Sequence, residues 1–371
     1  MLFQNNNLNT YKPRLMQLDS LRFFAIAVII LSHFEFVKDS IIGDFYWLHL
    51  HNATWGVDYF FMLSGFGLFY SLYDKDIKCG VASNIRFSIS KIKKIYPSYI
   101  FSLIISLPWI FLFTEYKVST LIVKFLIDLS LCQSAFGTMA LSHSINGVCW
   151  FLSTLFICYI FSPFLVKIVK KLNTIKKQFL SIEIVTLALL LLSLVFLRIE
   201  NTFIIGTHKP LNDLFYGSPY IRIWYLLLGM IIANIFISQK DNIKSDLTVL
   251  EVIITILTLF YFFFRNSLGL NSIFYRFLDV VVCCTTLIVF SFGKGKISEF
   301  LIKLQMLFGG GYGMYLYLLH YPVRMTVGNI FEHYKIDFGN GTFLVEMGLI
   351  VGITIFLCII CKKFQSRLIR K

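Results

Sequence analysis

The chain has 371 residues, of which 57% are apolar and 15% charged, and its mean hydropathy is +0.75. Soluble domains carry about 25% charged residues, so this composition excludes an ordinary soluble protein and indicates a chain that crosses a membrane several times. The net charge of +14 would suggest nucleic acid on a soluble domain. Here the basic residues concentrate in loops between apolar runs, so we expect a lipid bilayer and no nucleic acid as partner.

Ten apolar segments approach the length of about 20 residues with which an α-helix crosses a bilayer. They are 21–37, 53–73, 96–114, 147–166, 180–198, 219–237, 248–264, 275–292, 306–327 and 343–361. The first lacks a small-residue cleavage site and further membrane segments follow it, so we expect it to remain as an anchor. The sequence predicts an all-α, polytopic fold, with one membrane domain over 1–371 and no appended soluble domain.

A further apolar stretch, 121–136, contains Lys124 and Asp128, and the loop charges decide how it is interpreted. With ten spans and a cytoplasmic N-terminus, most lysines and arginines lie on the cytoplasmic side, as they usually do in membrane proteins. An eleventh span at 121–136 would place the lysine-rich loop 167–177 and the basic C-terminal tail outside. We therefore predict both termini in the cytoplasm and an outer-face or re-entrant element at 121–136.

The first predicted helix carries two ionisable residues in the stretch LDSLRFFAIAVIILSHFEF, with Arg22 at its start and His33 well inside the apolar run. Their spacing of 11 residues is about 20° from three full turns, so both share one helix face about 16 Å apart. An ionisable side chain in the hydrocarbon region is costly and usually faces a partner or a cavity. The alternatives are a positive-inside anchor for Arg22 and a packing role for His33.

The second predicted helix contains WGVDYFFMLSGFGLFY, which puts Asp58 near the outer end of its span. A short hairpin could bring this carboxylate to the depth of His33. An aspartate beside a histidine fixes the tautomer and raises the basicity of the ring, as a general base for a sugar hydroxyl requires. The alternative, that Asp58 caps its helix, does not exclude this pairing.

These stretches are followed by KIKKIYPSY, WFLSTLFICYIFSP and GYGMYLYLLHYPV. In this order they resemble the motifs of the acyltransferase 3 family of integral membrane acyltransferases, from Leu18 to Val323. The resemblance implies transfer of an acyl group, most often acetyl from cytoplasmic acetyl-CoA, to polysaccharides, lipid-linked sugars or other extracytoplasmic acceptors. It also implies that Arg22 and His33 match the functional arginine and histidine of the family, with His33 as the catalytic residue.

The third motif departs from the family pattern, in which two arginines three apart usually precede an aromatic–proline pair. Here Lys91 and Lys94 precede Tyr96 and Pro97. Lysine keeps the positive charge but lacks the planar fork with which arginine binds phosphate. We expect Lys91 and Lys94, with Lys93, to help hold the phosphates of CoA, although a merely basic cytoplasmic loop is the alternative.

The fourth motif departs further, because many members carry a glutamate after a WSL sequence. Here Trp150-Phe151-Leu152 leads into Ser153, which resembles the branch of single-domain glycan acetyltransferases. One candidate acid is therefore absent, and Asp58 or Glu35 would have to replace it. Glu35 lies about 200° round the helix from His33, so Asp58 is the better partner.

The last motif, GGGYGMYLYLLHYP, places His320 two residues before Pro322 on a tyrosine-rich helix. Its glycines are not followed by the lysine of a phosphate loop, so close helix packing explains them better. His320 could line the acceptor entrance or pack structurally. Together with Trp150 and Tyr315 it is a candidate for substrate binding, ahead of Arg222.

We therefore predict an O-acyltransferase in the bacterial cytoplasmic membrane that moves acetyl from acetyl-CoA to a cell-envelope polysaccharide or lipid-linked sugar. Arg22, Lys91 and Lys94 would bind the donor, and His33, oriented by Asp58, would deprotonate the acceptor hydroxyl or relay the acetyl group. No cluster has metal-ligand spacing, and we expect no permanently bound cofactor. The alternatives are a transporter or flippase of lipid-linked sugars, or an acyltransferase with another acyl group, such as succinyl, or another acceptor.

Overall fold

The computed structural model describes residues 12–135, 139–203, 216–269, 272–308 and 311–370. Within these ranges the fold is helical, and one isolated bridge, between Phe338 and Asn340, is its only extended pairing. The helices of 12 residues or more are α1 (Met16–Ser32), α2 (Ala53–Leu72), α3 (Val81–Ile92), α4 (Tyr96–Phe113), α5 (Val118–Leu129), α6 (Trp150–Lys170), α7 (Ile175–Phe203), α8 (Pro219–Gln239), α9 (Thr248–Phe264), α10 (Ser272–Phe292), α11 (Lys296–Phe308), α12 (Gly313–His333) and α13 (Thr342–Arg370). The fold class predicted from the sequence is thus confirmed as all-α.

Seven helices of the described ranges have both the length and the hydropathy of a membrane span, and they lie in α4, α6, α7, α8, α9, α10 and α13. They coincide with seven of the ten predicted segments. The other three segments correspond to α1, which has 17 residues, and to α2 and α12, which carry ionisable residues such as Asp58 and Arg324 in their apolar runs. The count of ten spans and the cytoplasmic position of both termini stay predictions.

Two of the predicted boundaries are wrong. The segment 306–327 contains a break, because α11 ends at Phe308 and α12 begins at Gly313, after a glycine-rich stretch in which Gly311 has a positive φ of 70°. The helix that corresponds to the segment 21–37 has the same length of 17 residues but lies earlier in the chain, from Met16 to Ser32, with His33 as its C-cap and a 3₁₀ turn after it. His33 therefore lies at the end of a helix and not inside it.

The centre of the fold is the contact between α2 and α8, two helices that are buried along most of their length. Two glycines let their backbones meet: a Cβ added at Gly65 would lie 1.9 Å from Leu226 O, and one at Gly229 would lie 1.9 Å from Met62 O. Small residues at helix contacts are typical of membrane proteins, because they allow the close packing that replaces the hydrophobic drive. The helices α1 and α10 also pack on α2, so α2 positions the elements that carry the site.

The described part of the stretch 121–136 consists of most of a short helix and the turn that follows it. Its helix, α5, has 12 residues, or about 18 Å, which is too short to cross a bilayer core of about 30 Å. At its end the hydroxyl of Tyr99 donates to Asp128 O at 2.7 Å, close to the start of α4. Most of the residues from Leu131 to Trp150 whose burial the structure describes are buried, and Asn146 donates from Nδ2 to Leu318 O of α12 at 2.9 Å. Whether the stretch lies on the outer face or is re-entrant stays a prediction.

Candidate active site

Two histidines meet where the end of α1 lies beside the middle of α12. His320 Nε2 is 3.2 Å from His33 Nδ1, and the ring centroids are 5.0 Å apart. Each ring is also held by its own helix: His33 Nδ1 is 2.8 Å from Ile29 O, and His320 Nδ1 is 3.1 Å from Leu316 O. The structure thus places His320, a candidate from the sequence, directly against His33.

The two backbone carbonyls determine the tautomers of the pair. A carbonyl oxygen only accepts hydrogen bonds, so both Nδ1 atoms carry a proton. The His33 Nδ1–H is then shared between Ile29 O and the lone pair of His320 Nε2. His33 Nε2 is left unprotonated and forms no hydrogen bond to a described residue. A histidine whose tautomer is fixed in this way, with one basic nitrogen free, is suited to take a proton from a substrate.

Tyr321 also packs against His33, and its ring lies edge-on to the imidazole with the two centroids 5.5 Å apart. The segment between α5 and α6 packs against Tyr321. A Cβ added at Gly147 would lie only 2.6 to 2.8 Å from three side-chain atoms of Tyr321, so this glycine lets the tyrosine pack against the segment. The orientation of the histidine pair therefore depends on a stretch that is distant in the sequence.

Asp58 does not form the predicted pair with His33. Its carboxylate is fully buried and accepts a hydrogen bond from Nη1 of Arg222, which also donates from Nε to Tyr216 O at 2.6 Å. The guanidinium of Arg222 lies 5.0 to 5.9 Å from four aromatic ring centroids, which belong to Phe61, Trp150, Tyr216 and Tyr225. A buried carboxylate needs a cationic partner, and Arg222 supplies it. This corrects the prediction that Asp58 orients His33.

Trp150, a predicted substrate-binding residue, is one of the aromatic side chains that surround Arg222. Its side chain is buried and packs between Arg222, Tyr216 and the ring of His143. Trp150 therefore belongs to the surroundings of the Asp58–Arg222 ion pair, and not to those of His33 and His320. Tyr315, the third candidate for substrate binding, donates from its hydroxyl to Gln365 Oε1 at 2.7 Å and so ties α12 to α13. Substrate-binding roles for both residues stay predictions.

A large cavity, here called the inner cavity, extends from the start of α1 toward the histidine pair. Its volume is about 1030 Å³, and its charged lining residues are Arg14, Asp19, Arg22 and Lys91. Arg22 donates to Asp19 at 3.2 Å, while its buried Nε has no hydrogen-bond partner in the described part of the chain. At the other end the cavity reaches Leu316, the residue to which His320 is bonded. One cavity thus extends from a cationic mouth to Leu316, one helical turn before His320.

The structure separates the two lysines that were predicted to bind the donor. Lys91 lines the inner cavity, whereas the side chain of Lys94 is exposed and only its carbonyl is engaged, by Nε2 of Gln365. Burial, together with the charges of Lys75 and Lys94, lowers the pKa of Lys91. A bound anion would relieve this repulsion, so the site favours a negatively charged ligand. Arg14, which the sequence analysis did not select, joins Arg22 and Lys91 there.

A second cavity, here called the outer cavity, lies beyond the histidine pair along α12. Its volume is about 410 Å³, and Arg324, Asn329, Glu332 and Glu346 are among its lining residues. Arg324 is one helical turn past His320, and its Nη2 is 4.0 Å from a carboxylate oxygen of Glu35. Arg324 was not predicted from the sequence, although a charged residue within an apolar run is a signal that could have identified it. The described residues contain no group of histidine, cysteine, aspartate or glutamate side chains that could hold a metal ion.

Known proteins that are similar to this chain are acyltransferases. The family profile described as "Acyltransferase domain" matches residues 16–363. Acyltransferase MdmB from Streptomyces mycarofaciens is 27% identical over 232 residues, which is 60% of this chain and 57% of that protein. The chain thus spans little more than half the length of this curated relative. No solved structure matches.

Proposed function

We propose that this chain, which belongs to the acyltransferase 3 family, is a multi-pass membrane O-acyltransferase that moves an acetyl group from cytoplasmic acetyl-CoA to a hydroxyl of a cell-envelope glycan. The observation that carries the proposal is the inner cavity, which extends from a cationic mouth to Leu316, whose carbonyl oxygen is bonded to His320 of the histidine pair. The proposed location in the bacterial cytoplasmic membrane is supported by the apolar helices and by the bacterial relative.

The donor fits the inner cavity by charge and by length. Arg22 and Lys91 would bind its phosphates, with Arg22 using the Nε–H that has no other partner. The Cα atoms of Arg22 and His33 are about 16 Å apart along the helix axis. An extended pantetheine arm would span this distance and bring the thioester close to His33. The cavity mouth faces the cytoplasm in this proposal, because the basic loops accumulate on that side.

His33 acts as the general base in the proposed reaction. Its free Nε2 removes the proton of the acceptor hydroxyl as the oxygen attacks the thioester carbonyl. The new ester bond forms and the carbon–sulfur bond breaks, so that CoA leaves as a thiolate and takes the proton back from His33. His320 accepts a hydrogen bond from the opposite nitrogen, and this stabilises the imidazolium formed in between.

The proposal is tested by measuring donor consumption and product mass in the same cells. Membranes that contain the protein should release CoA from acetyl-CoA, and the surface glycan should gain an acetyl increment that is absent from cells without the protein. A transporter of lipid-linked sugars would change the amount of glycan displayed but neither its mass nor the amount of acetyl-CoA. That result would contradict the proposal.

Arg22→Gln should raise the KM for acetyl-CoA about 10- to 100-fold, because one charge-assisted hydrogen bond to phosphate contributes about 1.5–3 kcal/mol. Arg22→Lys should recover part of the loss, since it keeps the charge without the fork. Initial rates at varied acetyl-CoA concentration measure both effects. Arg86→Gln is the matched control, because Arg86 is exposed on α3 and lies outside the inner cavity. An unchanged KM in Arg22→Gln would rule out this donor site.

His320→Phe should lower kcat about 10- to 100-fold with little change in the KM for acetyl-CoA, as expected for a residue that orients another. His320→Gln should retain more activity, because its side-chain oxygen can still accept the hydrogen bond from His33. The pH profile of kcat separates positioning from packing: it should shift in His320→Phe, whereas a merely structural role would lower the amount of folded protein and leave the profile in place.

A further inference from the structure

The outer cavity contains a buried carboxylate that the protein itself does not use. Glu346 is 6% exposed and lines the cavity, yet no described residue forms a hydrogen bond or an ion pair with it. Gly328 on α12 makes room for it, since a Cβ there would lie 3.3 Å from Glu346 Oε1. Burying a carboxylate without a partner is unfavourable, so its presence at a cavity wall indicates a ligand that donates hydrogen bonds to it.

Other polar groups of the outer cavity also offer hydrogen-bond acceptors. Glu332 is exposed at the rim and adds a second carboxylate. Asn329 donates from Nδ2 to Met325 O at 2.6 Å, which leaves its side-chain oxygen as a further acceptor. The apolar part of the wall includes Phe36 and Phe331. Several acceptors beside aromatic surface suit a ligand with many hydroxyl donors.

The charge of the outer cavity excludes an acidic ligand. Arg324 is the one basic residue among those that line it within the described ranges, and Glu35 lies 4.0 Å from its guanidinium. Arg324 also attracts Glu346, so this one cation faces three carboxylates, Glu35, Glu332 and Glu346. A negatively charged ligand would therefore meet an excess of like charge. A divalent cation is not favoured either, because the described part of the chain offers no group of three acidic or histidine ligands.

The position of the cavity links it to the reaction. Arg324 follows His320 by one helical turn, and Phe36, another lining residue, follows His33 by three residues, so the outer cavity lies close to the histidine pair. The inner cavity approaches the same pair from the opposite end of α12 through Leu316. A ligand in the outer cavity could therefore present one hydroxyl to His33 Nε2.

We propose that the outer cavity is the acceptor subsite and that it takes an uncharged sugar unit, whose hydroxyls donate to Glu346, Glu332 and Asn329. The inference rests on the proposed acyltransferase function, which it deepens by naming the class of acceptor. Acidic sugars, such as uronic acids, are rejected by the two carboxylates.

Cysteine labelling in intact cells tests the charge of the cavity without any donor. Asn329→Cys is introduced into a chain whose Cys79 and Cys132, the two cysteines that are not buried, are replaced by serine. Membrane-impermeant thiosulfonate reagents, one cationic and one anionic, are then compared. The cationic reagent should react at least about tenfold faster, and Glu346→Gln should bring the two rates closer together. Met325→Cys is the second reporter should Asn329→Cys fail to fold.

Protection experiments on the same reporter test the class of ligand. Millimolar maltotriose or chitotriose, both uncharged, should slow the labelling, whereas trigalacturonic acid should not. Equal rates for the two reagents, faster labelling by the anion, no labelling of the folded protein, protection by the acidic sugar or protection by none would each overturn the inference. Wild-type membranes that consume no acetyl-CoA would refute the proposed function instead, and this labelling result would be unaffected.

Discussion

His33→Ala should lower the rate of acetyl transfer by about 10²- to 10⁴-fold, the usual effect of losing a general base. His33 Nε2 is the unprotonated nitrogen of the pair that forms no hydrogen bond to a described residue, and the substitution removes this base. The KM for acetyl-CoA should change little, because the phosphates bind at the far end of the inner cavity. Initial rates with purified protein in detergent, or in reconstituted vesicles, measure both quantities.

The matched control is His333→Ala, which removes an exposed imidazole from the end of α12. It should transfer acetyl at the wild-type rate. His33→Ala must also reach the membrane in wild-type amounts, which a blot of the membrane fraction establishes. Full activity in His33→Ala at equal abundance would remove this residue from the mechanism.

Asp58→Asn should cost about 3–5 kcal/mol of unfolding free energy, because it leaves the buried guanidinium of Arg222 without its anion. Arg222→Met should be similarly destabilising, because it leaves the buried carboxylate of Asp58 without its cation. The double variant Asp58→Leu with Arg222→Met removes both charges and should recover most of the stability, as replacement of a whole buried ion pair usually does. Denaturant titration in mild detergent measures the three free energies.

This double variant also decides between the two interpretations of Asp58. If Asp58 only pairs with Arg222, the folded double variant should retain acetyl transfer close to the wild-type rate. If Asp58 orients His33, as the sequence suggested, the double variant should be stable but nearly inactive. Asp44→Asn is the control, because Asp44 is exposed and lies outside both cavities.

Residues on one helix were the most predictable part of the site. Arg22 and His33 were placed on one face of α1 from their spacing alone, and the structure puts Arg22 in the inner cavity and His33 at the end of the same helix. Local hydrogen bonds fix the geometry of a helix, so spacing converts directly into position. Lys91 and Lys94 show the limit of this rule. They are three residues apart, but α3 ends at Ile92, and after the turn that follows the exposed side chain of Lys94 lies outside the inner cavity.

Contacts between helices were much less predictable. Asp58 and Arg222 are 164 residues apart, and their pairing depends on the close packing of α2 and α8. The sequence identified both as ionisable residues in apolar runs but gave no information on which helices are neighbours. His320 was selected without its partner for the same reason. Glu346 was not selected at all, because one acidic residue near a helix end has several ordinary explanations.

The proposed reaction transfers an acetyl group from a donor on one side of the membrane to an acceptor on the other, with His33 as the general base. Sealed inverted membrane vesicles test it most directly, because they expose the cytoplasmic face and enclose the glycan. Labelled acetyl-CoA added outside should place labelled acetyl on the enclosed glycan in vesicles with the wild-type protein, and not with His33→Ala. Label that appears only after the vesicles are opened, or equally with His33→Ala, would contradict this account.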